Sequence, residues 1–236
     1  MKVTIVDGHS EDPEEISTCI KTRWPEAIVT LTTAQEDTLR LIKNTLPDLV
    51  IIDLAPKEEN GFYLCKEIRY FSEVPIIMLS NNSDDRSVVK GLEWGADDWI
   101  IKPFSYIQFL ARIQAVIRRS RTLPTVPLRQ LAQNDTPFET KDLTVEFDSK
   151  EVKVRGKQAK LTSIEYNILF HLIKNLGRPI SSEQLLDKVW GQQYLDTKYL
   201  PKIHIQHLRQ KIERDPTKPK IIVTERGQGY KLVISR

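Results

Sequence analysis

The sequence has few of the features that mark a secreted, disulfide-linked or membrane-spanning protein. Only two of its 236 residues are cysteines, and Cys19 and Cys65 lie far apart in segments with helical periodicity. We expect both to be free thiols that fill apolar space in a reducing cytoplasm, because small secreted domains use many paired cysteines. No apolar run approaches the roughly 20 residues of a membrane span, and the start has no signal-peptide pattern. The sequence therefore predicts a cytoplasmic globular protein without membrane contact.

Charge is divided unevenly along the chain. The first 120 residues carry 14 Lys and Arg against 19 Asp and Glu, a net charge of −5. The remaining residues carry 21 against 13, a net charge of +8, although the whole chain is only +3. A chain of this length is most simply two domains. The basic second half indicates a polyanion as partner.

Apolar runs in the first half are each followed by a side chain that can bind charge. Amphipathic segments separate the runs, and this alternation predicts a parallel sheet with helices on both faces. The carboxyl ends of parallel strands meet at one edge, where open α/β sheets bind ligands. Two carboxylates, a hydroxyl and an ammonium there suit a divalent cation and a phosphoryl group. The four side chains are Asp7 after residues 3–6, Asp53 after 49–52, Ser80 after 75–79 and Lys102 after 99–101.

This arrangement resembles the receiver domain of two-component response regulators. The resemblance covers residues 1–121, with matches at 47–53, at Gly61, at 95–98 and at 102–104. It implies a flavodoxin-like, doubly wound, five-stranded parallel sheet with Asp53 as phosphoacceptor. It further implies a site formed by Asp7, Ser80, Trp99 and Lys102, with Mg²⁺ bound by Asp7, Asp53 and the carbonyl of Ala55.

Gly8 departs from the family pattern, in which a second acidic residue directly follows the first. Magnesium prefers near-octahedral oxygen coordination, so the loss of a carboxylate weakens its binding and the metal-dependent phosphotransfer. We therefore expect weak Mg²⁺ binding and weak or dispensable phosphorylation of Asp53. The alternative is a conventional, phosphorylation-activated regulator in which His9, Glu11 or Asp12 replaces the missing ligand. Asp12 precedes a proline, a pattern that better fits a helix cap.

The receiver resemblance also predicts a homodimer through the fourth helix, fifth strand and fifth helix. Gln108 stands where the family usually has an acidic partner for Lys90, so one ion pair across the dimer is absent. Exposed pairs contribute only about 0–1 kcal/mol each, so we still expect the dimer. The charged residues matching the dimer face are Lys90, Asp97, Asp98, Arg112 and Arg118.

Residues 122–137 contain prolines and no periodicity, and we interpret them as a linker. Two short alternating strands follow, at 143–147 and 151–155, then three helices and a terminal hairpin formed by 221–224 and 230–233. The first helix begins with a capping box at Thr162, the second begins at Ser182, and the third follows Pro201.

This second half resembles the winged-helix effector domain of the OmpR/PhoB family over residues 138–236. Matching features include Leu161–Thr162, Val189–Trp190–Gly191, and the Arg–Gly–x–Gly–Tyr motif at 226–230. The resemblance implies an α+β winged helix-turn-helix whose third helix enters the DNA major groove. We expect Lys202, Gln206 and His207 at base edges and Ile203 at a thymine methyl. By resemblance, Arg226 enters the minor groove, and the residues near phosphates are Trp190, His204, Arg209, Thr224 and Tyr230.

The sequence as a whole predicts a non-enzymatic transcription regulator that binds double-stranded promoter DNA as a homodimer. A sensor histidine kinase and RNA polymerase are its expected protein partners. The alternative class is a metal-dependent phosphotransfer enzyme that uses the crevice of the first half. The basic third helix and the wing argue against that class.

Overall fold

The computed structural model forms two compact units, Met1–Ser120 and Arg121–Arg236. The structure describes residues 1–7, 13–33, 35–54, 58–121 and 137–234. The predicted linker therefore lies almost wholly outside the described residues. Within these ranges, every helix is too short or too polar to cross a lipid bilayer.

The first unit is a five-stranded parallel sheet flanked by five helices, as the sequence predicts. Its strands lie in the order β2-β1-β3-β4-β5, so β1, β3 and β4 are internal and β2 and β5 form the edges. The strands are β1 (Lys2–Asp7), β2 (Ile28–Thr32), β3 (Leu49–Asp53), β4 (Ile76–Ser80) and β5 (Asp98–Ile101). The helices are α1 (Pro13–Arg23), α2 (Gln35–Thr45), α3 (Glu58–Arg69), α4 (Asp85–Glu93) and α5 (Tyr106–Arg121).

Strands β3 and β4 are buried along their whole length because helices cover both faces of the sheet. Every residue of β3 and β4 is buried, which explains their nearly continuous apolar sequences. Alternate residues of a strand point to the same face. On one face, residues of β1, β3 and β4 pack against the apolar sides of α1 and α5. This packing brings the carboxyl ends of β1, β3 and β4 to a common edge.

The second unit combines a small antiparallel sheet, three helices and a terminal hairpin. The sheet contains β6 (Phe138–Glu139), β7 (Leu143–Val145), β8 (Val152–Val154) and β9 (Lys157–Gln158) in sequence order. The helices are α6 (Ser163–Lys174), α7 (Ser182–Leu185), which continues into a π-helical turn at Leu186–Trp190, and α8 (Tyr199–Ile212). The hairpin pairs β10 (Ile222–Glu225) with β11 (Gly229–Leu232). The fold class is thus the α/β sheet followed by the α+β winged helix expected from the sequence.

Several predicted bounds of the second unit are wrong by one to three residues. Helix α8 begins at Tyr199 and includes Pro201 in its first turn. Proline is tolerated there because the first N–H groups of a helix have no partner within the helix. Both hairpin strands also begin and end one residue away from their predicted positions. The capping box at Thr162 is present, with its hydroxyl accepting from the Glu165 N–H.

Gly229 has a clear reason to be glycine. Its φ is +120°, and a Cβ there would lie 2.0 Å from the Ile180 carbonyl oxygen. Ile180 and Tyr230 exchange two backbone hydrogen bonds at this point. The close approach joins the start of the second helix region to β11.

Candidate functional site

The carboxyl edge of the first sheet brings Asp53 and Lys102 into direct contact. Asp53 ends β3, and Lys102 follows β5, two strands away. The Lys102 Nζ donates to Asp53 Oδ2 at 2.5 Å, and Asp53 is only 3% exposed. Its other oxygen, Oδ1, is also buried and accepts no hydrogen bond from the described residues. An unsatisfied buried carboxylate oxygen is costly, so Oδ1 is suited to a cation or a further donor.

Ser80 and Asp7 end the two strands on either side of β3. Ser80 is buried, and its hydroxyl accepts from the Asn82 N–H at 2.9 Å, which shapes the loop after β4. The backbone of Asp7 is in register with Asp53 across β1 and β3. Outside the described parts lie the Asp7 side chain and the residues Gly8, His9, Glu11, Asp12 and Ala55.

Trp99 fills the space between α3, α4 and the sheet. It is 6% exposed, and its ring stacks on Phe62 with centroids 6.1 Å apart. A Cβ on Gly91 of α4 would lie 2.4 Å from the Trp99 ring. Gly91 therefore allows the large indole to lie inward against α4. Sequence reasoning missed this role, although a glycine inside an amphipathic helix is a signal because it costs about 1 kcal/mol relative to alanine.

Asp97, which was expected at the dimer face, is held by donors of its own unit. It is 4% exposed and accepts from Arg69 Nη2 and from the Ile76 N–H, each at 2.8 Å. Arg69 also donates to the carbonyls of Gly95 and Val74, so it ties the end of α3 to the loop before β5. A buried carboxylate needs several donors, and Asp97 obtains them inside its own unit.

The remaining residues of the predicted dimer face lie in different environments. Asp98 is buried and accepts from Arg112 Nη1 at 3.0 Å, within the same unit. The Lys90 ammonium lies 5.0 Å from the centre of the Phe62 ring. Arg118 is exposed near the end of α5.

Helix α8 presents a polar outer face and a wide buried face. Lys202 and Gln206 are exposed and, four residues apart, lie on one side of the helix. His207 is half-buried beside them. Arg226 is exposed at the turn of the β10–β11 hairpin. An exposed ammonium and an exposed amide therefore lie on α8, and an exposed guanidinium lies at the hairpin turn.

Three residues expected at DNA are instead buried. Ile203 is 5% exposed and belongs to the core, which corrects its expected contact with a thymine methyl. Trp190 and His204 are 0% and 3% exposed, and their ring centroids are 5.4 Å apart. Because α8 packs against both α6 and α7, its buried face is wider than a single stripe. Trp190 and His204 thus have no surface for phosphate in this structure.

Arg209 is directed at the hairpin. Its Nε and Nη2 donate to the Ile222 carbonyl at 2.9 and 2.8 Å, and Nη2 also donates to Thr224 Oγ1 at 2.8 Å. The guanidinium lies 5.9 Å from the centre of the Tyr230 ring. Burial lowers the pKa of Arg209, while Tyr230 and Glu213 raise it. Tyr230 is itself buried, whereas Thr224 is exposed.

Comparison with known proteins assigns both halves. Residues 3–114 match the model of the response regulator receiver domain, and residues 156–232 match that of the transcriptional regulatory protein C terminal. The chain is 35% identical over 234 residues to the probable transcriptional regulator ycf27 of Guillardia theta, covering 97% of this chain and 89% of the relative. The chain belongs to the OmpR/PhoB family of response regulators. OmpR/PhoB regulators are transcriptional regulators with a DNA-binding domain, so the chain is not an enzyme.

Further relatives agree with this assignment. The ycf27 protein of Cyanophora paradoxa is 34% identical over 234 residues, covering 97% of this chain and 95% of the relative. Among solved structures, a point mutant of RitR has a TM-score of 0.76 at 19% identity and covers 98% of both chains. That likeness supports the fold alone.

Proposed function

We propose that this OmpR/PhoB regulator binds promoter DNA as a homodimer through α8 and the β10–β11 hairpin. We further propose that phosphorylation of Asp53 is weak or dispensable for this binding. The exposed pair Lys202 and Gln206 on α8, together with Arg226 at the hairpin turn, carries the DNA part of the proposal. We assign residues 1–121 to the receiver, 122–137 to a linker and 138–236 to the DNA-binding domain.

The chemistry of these side chains fits the two grooves of DNA. In the major groove, lysine donates to guanine O6 and N7, and glutamine can form two hydrogen bonds with adenine. Lys202 and Gln206 are therefore the leading base-reading residues, with His207 beside them. An arginine in a narrow, A·T-rich minor groove is attracted by its negative potential, and Arg226 is suited to that role. Thr224 is the exposed residue of the hairpin best suited to a phosphate.

The receiver site fits a weak magnesium site. Asp53 and Asp7, with the Ala55 carbonyl, would hold Mg²⁺, and the buried Asp53 Oδ1 supports one such contact. Among the described residues, no three or more His, Cys, Asp or Glu side chains are grouped in a way that could hold a metal ion. A bound ion would neutralise charge that develops during phosphoryl transfer. Gly8 supplies no side chain for it.

The family assignment also indicates partners. A receiver domain implies a histidine kinase, and the effector domain implies promoter DNA. The homodimer, RNA polymerase as a further partner, and a cytoplasmic location are proposals. The dimer would use α4, β5 and α5, with Lys90, Asp97, Asp98, Arg112 and Arg118 on or beside that face.

A gel-shift titration tests the DNA proposal. The probe is a duplex recovered from a random library by selection with the full-length chain, and residues 138–236 are titrated beside the full chain. We expect both to bind, and Arg226→Ala to weaken binding mainly where the minor groove is A·T-rich. Failure of both proteins to retain any duplex would overturn the proposal.

Footprinting on the same duplex tests the dimer. We expect two protected half-sites about one helical turn, or roughly 10 base pairs, apart. Protection of one isolated half-site at saturating protein would contradict the dimer and leave the DNA-binding proposal intact.

A further inference from the structure

Two charged side chains at the end of α8 hold the peptide groups at the start of β10. Glu213, directly after α8, is 6% exposed and accepts from the N–H groups of Lys220, Ile221 and Ile222 at 3.0, 2.8 and 2.8 Å. Arg209 donates twice to the Ile222 carbonyl, at 2.9 and 2.8 Å. Both the N–H and the C=O of Ile222 are therefore bound by side chains from one helix end.

The geometry of these contacts restricts rotation as well as distance. Arg209 lies in the last turn of α8 and Glu213 directly follows its last residue, so both side chains reach β10 from the same helix end. The guanidinium is planar, and its donors have a fixed relative direction. Arg209 also reaches Thr224 on β10 and lies over the Tyr230 ring on β11. The contacts thus involve both strands of the hairpin and not only its first residue.

The hairpin turn carries Arg226, four residues beyond Ile222. The two strands of the hairpin are paired along all four residues of β10, from Ile222 to Glu225, so we treat the hairpin as one rigid element. A change in direction at Ile222 would therefore be passed on to the turn. Fixing Ile222 against α8 fixes how far Arg226 lies from the exposed face of α8.

We infer that Arg209 and Glu213 form a clamp that sets the spacing between the major-groove contacts of α8 and the minor-groove contact of Arg226. This inference rests on the DNA-binding function proposed above. Arg209 is a positioning residue in this scheme, since two of its nitrogens are already committed to the hairpin. Its resemblance-based role as a phosphate contact is replaced by this one.

A double-mutant cycle with Arg226 separates positioning from direct contact. The probes are the selected duplex and a matched duplex whose A·T segment beneath the hairpin turn is changed to G·C. We expect Arg209→Gln to weaken binding about tenfold, the equivalent of roughly 1.4 kcal/mol. In the Arg226→Ala background, Arg209→Gln should weaken DNA binding by less than about twofold. Arg209→Gln and Glu213→Gln should also reduce the preference for the A·T duplex.

Lys202→Gln is the matched control on the same helix. Lys202 is exposed and is proposed to contact the DNA directly, so Lys202→Gln should weaken DNA binding by the same factor with and without Arg226. The ratio of the affinities of Lys202→Gln for the A·T and G·C duplexes should equal that of the wild type. A partly unfolded variant lowers affinity for both duplexes equally, so the ratio reports positioning independently of stability.

Arg209→Lys decides the result if Arg209→Gln fails to fold. Lysine keeps the charge but loses the planar fork, so the clamp predicts that the preference for the A·T duplex stays lost. Restored affinity and preference in Arg209→Lys would overturn the clamp. The clamp would also be overturned if Arg209→Gln weakened DNA binding equally with and without Arg226. A direct phosphate contact predicts that result, together with a slope of log affinity against log salt concentration that is smaller by about 0.9. A wild-type chain that selects no duplex would overturn the proposed DNA-binding function itself.

Discussion

Buried carboxylates in this chain differ in how completely their oxygens are satisfied. Glu213 accepts from three backbone N–H groups and uses both of its oxygens, and Asp97 Oδ2 accepts from both Arg69 and the Ile76 N–H. Asp53 receives one hydrogen bond, from Lys102, and its buried Oδ1 accepts none from the described residues. Groups that serve the fold are normally saturated, and incompletely satisfied ones are functional candidates. This contrast distinguishes Asp53 from its structural counterparts.

His171 should make the stability of the second unit depend on pH. Burial, and then the nearby Lys188, lowers its pKa from 6.5 to about 4. Between these values the unfolded chain binds a proton that the folded chain does not, so stability should fall as pH is lowered from about 6.5 to about 4. The loss is at most about 3 kcal/mol.

Urea unfolding at a series of pH values measures this effect. We expect His171→Gln to lose stability less steeply than the wild type over that pH range. Equal slopes for the two proteins would show that other groups cause the pH dependence.

Gly91→Ala should destabilise the first unit. The added methyl would lie 2.4 Å from the Trp99 ring, so the indole or α4 must move, at a cost of about 1–3 kcal/mol. Trp99→Phe provides space for the methyl, so the double variant should be more stable than the sum of the single changes predicts. Urea unfolding, followed by far-UV circular dichroism, measures the coupling. Strict additivity would show that the two residues are independent.

At the scale of elements, single side chains join segments that are distant in sequence. Glu165 completes the capping box of α6 by accepting from the Thr162 N–H at 2.7 Å. The same oxygen accepts from Lys211 of α8 at 2.8 Å. One carboxylate therefore connects the start of α6 to the end of α8, much as Arg209 and Glu213 connect α8 to the hairpin.

Glu165→Ala should cost more stability than Lys211→Met. The first change removes the acceptor of the buried Thr162 N–H, at a cost of about 1–3 kcal/mol, and also leaves Lys211 without this acceptor. The second removes a partner whose side chain is 29% exposed, so solvent screening limits the loss to about 1 kcal/mol. Urea titration of the full chain ranks the two variants. A larger loss for Lys211→Met would show that the ion pair outweighs the cap.

At the scale of the whole molecule, an acidic receiver and a basic effector are two compact units of one chain. The net charges of −5 and +8 give them opposite preferences for a polyanion, so only the second half favours DNA electrostatically. The basic second half is therefore the half that we expect to contact DNA directly.

Phosphorylation of Asp53 should be slow and have little effect on DNA affinity. Gly8 has no side chain that could bind a metal ion, so we expect charge on the transferring phosphoryl group to be poorly neutralised. With acetyl phosphate and Mg²⁺, intact mass should show incomplete modification. Asp53→Ala should change DNA affinity by less than about twofold, or roughly 0.4 kcal/mol. Rapid stoichiometric modification with a large gain in affinity would refute this prediction.

Gly8→Asp is the matched test of the cause. If the missing carboxylate is responsible, this variant should bind Mg²⁺ more tightly than the wild type and be modified faster. Equal Mg²⁺ affinity in the two proteins would show that another residue, such as Glu11 or Asp12, already supplies the ligand.

The order of elements, the acidic and basic halves, and the groups at the ends of the strands follow from the amino-acid sequence alone. These features depend on local periodicity and capping, as in the apolar run of β3 and the capping box at Thr162. They predicted the parallel α/β sheet of the first half and the meeting of Asp53 and Lys102 at one edge, whereas the winged helix of the second half was predicted from its resemblance to the OmpR/PhoB effector domain.

Which side chains face inward depends on contacts between segments that are distant in the sequence. Asp97 pairs with Arg69, 28 residues away, and Arg209 binds Ile222, 13 residues away. Ile203 is buried because α8 packs on two other helices, a geometry that the helical repeat alone does not specify. Such contacts arise when distant segments meet, so local propensity carries no information about them. The same physical reason explains why the clamp at Ile222 became visible only in the folded chain.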